Sequence, residues 1–273
     1  MKIEYFKEYS NCLNRYMEFK VYGHGGKPIL AFPAQDGRFY DFENFNMVYS
    51  IENLINSGKV QLFCCESLDK ESWSDKFGDK SHRIYMHEQW YYYIIDELVP
   101  RIFEINKNSN GYYSSGVITT GCSLGATHAV NFMFRRPDIF NGCIGLSGYY
   151  DSDFAFDDYC DDLVYKNSPI KYLENMNHDH EFLNLYRKNK IVICCGQGDW
   201  EDAMIYSLNK LKKILDYKNI PAWIDFWGED VNHDWDWWRV QLPYFLEKII
   251  YIKNRYKYRN ILIKYIFDYS IAI

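Results

Sequence analysis

The chain has 273 residues, with 31 Lys and Arg against 37 Asp and Glu and a formal net charge of −6. At 48% hydrophobic and 25% charged it has globular proportions and enough length to bury a large core. An aromatic content of 19% excludes a disordered chain, and the acidic balance argues against a nucleic-acid binder, which needs a basic face for phosphates.

The first 22 residues read as two strands, the second over 16–22. The Gly-rich stretch His24-Gly25-Gly26 reads as a hairpin turn leading into a strand at 28–32. Short apolar runs then recur at Val60–Cys65, 116–120, 142–147, Lys190–Cys195 and 222–227. Helical spacing falls between them, near 40–57, 83–106, 124–136, 202–218 and 235–250. Near-continuous apolar strands alternating with helices predict an α/β three-layer sandwich, its sheet mostly parallel with an antiparallel pair at the N-terminus.

Residues 151–189 break this rhythm, opening with Asp151, Asp153, Asp157, Asp158, Asp161 and Asp162, and read as a lid-like insertion. One domain over 1–250 is the simplest account, followed by a basic, aromatic extension at 251–273. That extension holds five basic residues against Asp268, so the other 250 residues carry −10. It can lengthen the last helix, pack on a partner or a second copy of the chain, or touch an anionic membrane surface.

No apolar run approaches the roughly 18–20 residues that cross a bilayer, and the N-terminus lacks the apolar core of a signal peptide. The expected location is therefore the cytoplasm, with reduced thiols. Cys64-Cys65 and Cys194-Cys195 lie in strand-like runs, where neighbours point to opposite faces and cannot share a metal. His178-Asp179-His180-Glu181 is read as an exposed polar loop. Neither phosphate-binding nor dinucleotide-binding glycine patterns occur, so no metal and no cofactor is expected.

The strongest local signal is Gly121-Cys122-Ser123-Leu124-Gly125, set between a strand and a helix. A sharp turn there lifts a serine hydroxyl clear of the backbone, and glycines on either side let the chain pack that tightly. The helix start places the Leu124 N–H near developing oxyanion charge. A serine needs a base. Of seven histidines, His233 follows the last strand, where the carboxyl edge of such a sheet collects it. The orienting acid falls between the two in chain order, and Gly196-Gln-Gly-Asp199-Trp-Glu201-Asp202 offers three carboxylates.

With these motifs the chain resembles the putative esterase family of α/β-hydrolases, which includes esterase D-like S-formylglutathione hydrolases, siderophore esterases and mycolyltransferases. The likeness spans about residues 12–247, densest at 32–44, 119–125, 134–137, 195–202 and Asn232-His233-Asp234-Trp235. It implies an α/β-hydrolase fold and a serine carboxylesterase working through an acyl-enzyme on a small-molecule ester. It assigns Ser123 as nucleophile, His233 as base and Glu201 as acid, from its offset to Gly198. Asp199 and Asp202 stay as alternatives. It also implies a second oxyanion amide after strand 28–32, where relatives carry His-Gly; here Pro33-Ala34-Gln35 stands instead, with the Gln35 N–H as the donor. That departure leaves a non-catalytic hydrolase-fold binding protein as the alternative from another class, and an acyltransferase to a non-water acceptor as the alternative among enzymes.

Overall fold

The structure, a computed structural model, describes residues 1–250; the basic extension lies outside the described residues. Eight strands form one sheet: β1 (Ile3–Ser10), β2 (Arg15–Tyr22), β3 (Lys27–Phe32), β4 (Val60–Cys65), β5 (Val117–Cys122), β6 (Phe140–Leu146), β7 (Lys190–Cys195) and β8 (Trp223–Phe226). Their spatial order is β1-β2-β4-β3-β5-β6-β7-β8. β1 pairs antiparallel with β2 and β2 antiparallel with β4, while every pair from β4 to β8 is parallel. The expected α/β sandwich is the fold observed.

Every residue of β4 and β5 is buried, as a sheet covered on both faces requires. Side chains divide strictly by face. Leu30, Phe32, Cys65 and Cys195 join helices Lys80–Tyr92, Val99–Asn110, Leu124–Arg135 and Asp202–Tyr217 in one core. Ile29, Ala31, Cys64 and Cys194 join the turns of 41–56 and helix 235–250 in the other. Each Cys-Cys pair is thus split across the sheet.

The structure corrects the sequence reading at three places. The turn at His24-Gly25-Gly26 is not a hairpin, because β4 lies between β2 and β3. The glycines instead press the crossover against the start of β4: a Cβ on Gly26 would meet the Lys59 carbonyl carbon at 2.3 Å. The helix expected near 40–57 is three short turns, Asp41–Asn44, Met47–Ser50 and Glu52–Asn56, since Asn46 takes a left-handed φ of 60° that no continuous helix contains. The helix expected at 83–106 runs from Lys80 to Asn110 but widens to a π-type turn over Tyr93–Leu98. Pro100 explains the widening: it lacks an N–H, and its ring crowds the carbonyl one turn back.

Segment 151–189 contains four short helices, Asp153–Phe156, Asp162–Lys166, Pro169–Asn175 and Phe182–Tyr186, and no strand. Its Phe156 and Val164 pack with Trp73, Ile84 and Leu124. Asn167 anchors it from beneath, accepting hydrogen bonds from Asn131 and Arg135 at 2.8 Å each and donating to Glu88 at 3.1 Å. Among the described residues no helix is long and apolar enough to cross a membrane.

Candidate active site

The parallel strands deliver their carboxyl ends to one edge, where a doubly covered sheet collects loop residues into a site. β5 ends at Cys122, the next residue is Ser123, and the helix starts at Leu124. Ser123 has φ 56° and ψ −125°, a conformation that costs a side-chain-bearing residue about 1–3 kcal/mol and persists only where packing enforces it. The enforcement is visible. A Cβ on Gly125 would lie 2.4 Å from the Pro33 carbonyl oxygen and 2.6 Å from that of Phe32. Only glycine lets the helix start seat against the loop after β3. The Ser123 N–H donates to the Leu146 carbonyl at 2.9 Å, tying the turn to β6.

His233 Nε2 lies 2.9 Å from Ser123 Oγ. Its loop is joined to the loop after β7 at the backbone. The His233 N–H donates to the Asp199 carbonyl at 3.0 Å, the Gly198 N–H to the Val231 carbonyl at 2.9 Å, and the Asp199 N–H to Asn232 Oδ1 at 2.8 Å. Gly196 permits that approach, since a Cβ there would fall 1.9 Å from the Val231 carbonyl oxygen.

Of the three candidate acids, the structure buries Glu201 completely and sets its Oε2 3.7 Å from His233 Nδ1. Both atoms are buried, and neither has a hydrogen-bond partner among the described residues. Asp199 contributes its backbone to the junction while its side chain is exposed, and Asp202 is exposed at the start of helix Asp202–Tyr217. Two residues that sequence reasoning passed over hold the acid. Ser147 Oγ donates to Glu201 Oε1 at 2.5 Å and accepts the Trp238 indole N–H at 3.1 Å. The Trp238 ring also stands edge-on to His233, centroids 4.9 Å apart. For Trp238 the signal available in the sequence is that a buried indole N–H needs a polar partner.

The other histidines are placed elsewhere. His87, on helix Lys80–Tyr92, and His128, on the serine-bearing helix itself, are buried and stacked 5.2 Å apart, with His128 Nε2 2.9 Å from Asp69 Oδ1. Burial, followed by the charges of His128 and Arg135, pushes His87 well below its ordinary value. His178 packs on Tyr217 and His180 on Phe182. Among the described residues no group of three His, Cys, Asp or Glu side chains converges to hold a metal. Neither the Leu124 nor the Gln35 N–H has a hydrogen-bond acceptor among the described residues.

Comparison with known proteins agrees with this architecture. The family model described as Putative esterase matches residues 10–249. No curated protein sequence matches. Among solved structures, a ferulic acid esterase superposes with a TM-score of 0.71 at 16% identity, covering 92% of this chain and 98% of its own. An S-formylglutathione hydrolase from Agrobacterium tumefaciens gives 0.68 at 12% identity, over 91% and 94%. A fluorophosphonate-binding serine hydrolase from Staphylococcus aureus gives 0.62 at 14% identity, over 91% and 98%. Likeness at such identities carries the fold.

Proposed function

Because the chain belongs to the putative esterase family, we propose that it is a serine carboxylesterase acting on small-molecule esters through an acyl-enzyme. The observation that carries this reading is the 2.9 Å approach of His233 Nε2 to Ser123 Oγ on a strained strand-to-helix turn. With Nε2 accepting the serine proton, the other ring proton sits on Nδ1, facing Glu201.

Ser123 Oγ attacks the ester carbonyl carbon, and its proton passes to His233 Nε2. The imidazolium so formed strengthens its contact with the Glu201 carboxylate, and the 3.7 Å separation closes to a hydrogen bond. The Leu124 and Gln35 amides hold the oxyanion. The bond to the leaving alcohol then breaks, His233 returns the proton to that oxygen, and Ser123 is left acylated. Water repeats the sequence, releasing the acid and restoring the serine.

The test is labelling with a fluorophosphonate, the attachment site located by mass spectrometry, followed by rates on p-nitrophenyl esters from acetate to long acyl chains. A feruloyl ester and S-formylglutathione belong in the panel, being the substrates for which two structural neighbours are named. The expected result is one adduct, on Ser123, and a loss of roughly 10⁴-fold or more in Ser123→Ala. An adduct on another serine, or a fully active Ser123→Ala, refutes the assignment.

A further inference from the structure

The loop after β3 carries the Gln35 amide, and it is fastened at nearly every residue except that one. The Ala34 carbonyl accepts the Gly37 N–H at 2.9 Å, and the Arg38 carbonyl accepts the Asp41 N–H at 2.9 Å. Ser74 Oγ bonds the Asp36 carboxylate, and Ser67 Oγ donates to the Gly37 carbonyl at 2.9 Å. The backbone ties lie within the loop, and the Ser67 and Ser74 bonds are ties to uncharged hydroxyls of the segment that follows β4. The charged tie to the sheet is Arg38, whose Nε meets Glu66 Oε1 at 2.6 Å and whose Nη2 meets Glu18 Oε2 at 2.8 Å.

Glu66 is an unusual anchor. It is the first residue after β4, its side chain is 11% exposed, and its second oxygen is buried with no hydrogen-bond partner. A buried carboxylate oxygen left unmet costs stability, so the packing alone does not account for this residue.

We propose that Glu66 is a positioning residue for the reaction: through Arg38 it holds the loop 33–38 where the Gln35 amide serves the oxyanion, and it does so only when ionised. This rests on the esterase reading above. Burial pushes the Glu66 carboxyl up to about 7 against the opposing pull of Arg38. The titratable groups that face it are Arg38, Glu18, Asp41, Cys65, Tyr93 and Tyr5. The sign follows. A carboxyl raised on folding contributes stability that is full below its unfolded value and lost as pH rises through the folded one. Ionised Glu66 therefore lowers stability at pH 8 while the clamp it forms supports turnover.

Glu66→Gln keeps the shape and removes the charge. Losing one oxyanion donor outright costs about 10²–10³-fold in kcat, so a loosened one is expected to cost about ten- to a hundredfold at pH 8. KM should change little, and the melting temperature should not fall, whereas a merely structural role predicts that it does. The wild-type fall in kcat toward acid should involve two protonations and the variant's only one. Arg38→Met, at a side chain 46% exposed, should reproduce the loss, and the double variant should be no worse than the poorer single. Wild-type kcat in Glu66→Gln across pH 5–9, or losses that multiply in the double variant, overturns the proposal. Absence of a Ser123 fluorophosphonate adduct in the wild-type chain is the separate result that overturns the esterase reading and this inference together.

Discussion

Replacing Ser147 with alanine isolates the support of the acid from the acid itself. Ser147 is fully buried with φ 59°, and its N–H donates to the Cys194 carbonyl at 2.8 Å, so the backbone stays fixed when the hydroxyl goes. Serine and alanine carry the same Cβ, so the left-handed backbone contributes nothing to the difference. Two things are lost. The hydrogen bond to a carboxylate contributes about 1.5–3 kcal/mol, and the Trp238 indole N–H is left buried and unpaired at about 1–3 kcal/mol. Such terms do not add fully, so the expected loss is about 3 kcal/mol, a fall in melting temperature of roughly 5–10 °C for a chain of this size. The catalytic effect is separate. Glu201 already stands 3.7 Å from His233 Nδ1, and without Ser147 its Oε1 has no anchor. Removing an orienting acid costs about 10⁴-fold, so freeing one is expected to cost about 10–100-fold in kcat with KM little changed. Initial rates on p-nitrophenyl acetate and a calorimetric scan measure both. A Ser147→Ala variant with wild-type kcat would show that Glu201 is not held for the sake of His233.

Three further outcomes follow from the same geometry. Glu201→Gln should cost roughly 10³-fold or more in kcat while still folding, and Asp199→Asn and Asp202→Asn far less; the largest loss in Asp199→Asn would move the acid to that residue. Gly125→Ala should cost at least about 3 kcal/mol, because the new Cβ meets backbone at 2.4 and 2.6 Å and neither oxygen belongs to a side chain that can swing aside; a variant that melts with the wild type would refute the packing argument. His87 is depressed by burial, so its contribution to stability is present above its unfolded value of about 6.5 and lost as pH falls toward the folded one. Denaturant unfolding at pH 7 and pH 5 should show that loss, and His87→Phe should flatten the slope; an equally steep slope in the variant would place the titration elsewhere.

The strands were legible because burial on both faces leaves an uninterrupted apolar run that needs no tertiary knowledge to see. Val60–Cys65 and Lys190–Cys195 are found to the residue, and β5 runs two residues further than expected because it delivers Ser123. Helices were legible in extent and not in regularity. Asn46 and Pro100 are each compatible with a helix boundary or interior, and only the packing around them decides which. The early turn failed for a topological reason: glycines announce a tight bend, and nothing local says whether the next strand pairs with the last or leaves room for one arriving 28 residues later at Val60.

The site divides along the same line. Ser123 declares itself because the turn that presents it demands small residues at fixed offsets, a constraint written into five adjacent letters. His233 and the acid loop declare themselves by chain order alone, which names a loop and leaves three carboxylates open; burial separates them, since Glu201 is fully enclosed and Asp199 and Asp202 are not. Ser147 left no such mark. A serine closing an apolar strand looks like a strand end, and Trp238 five residues beyond His233 looks like helix packing. What makes them a unit is that β6 and β7 are neighbours, so the residue after Leu146 and the loop after Cys195 open at the same edge, and helix 235–250 lays its first turn across both. A carboxylate sealed there has lost its water, and a hydroxyl that accepts an indole N–H has its own proton left to give in one direction. The sequence motif thus specifies the groups proposed to touch substrate, and the sheet order specifies what holds them still.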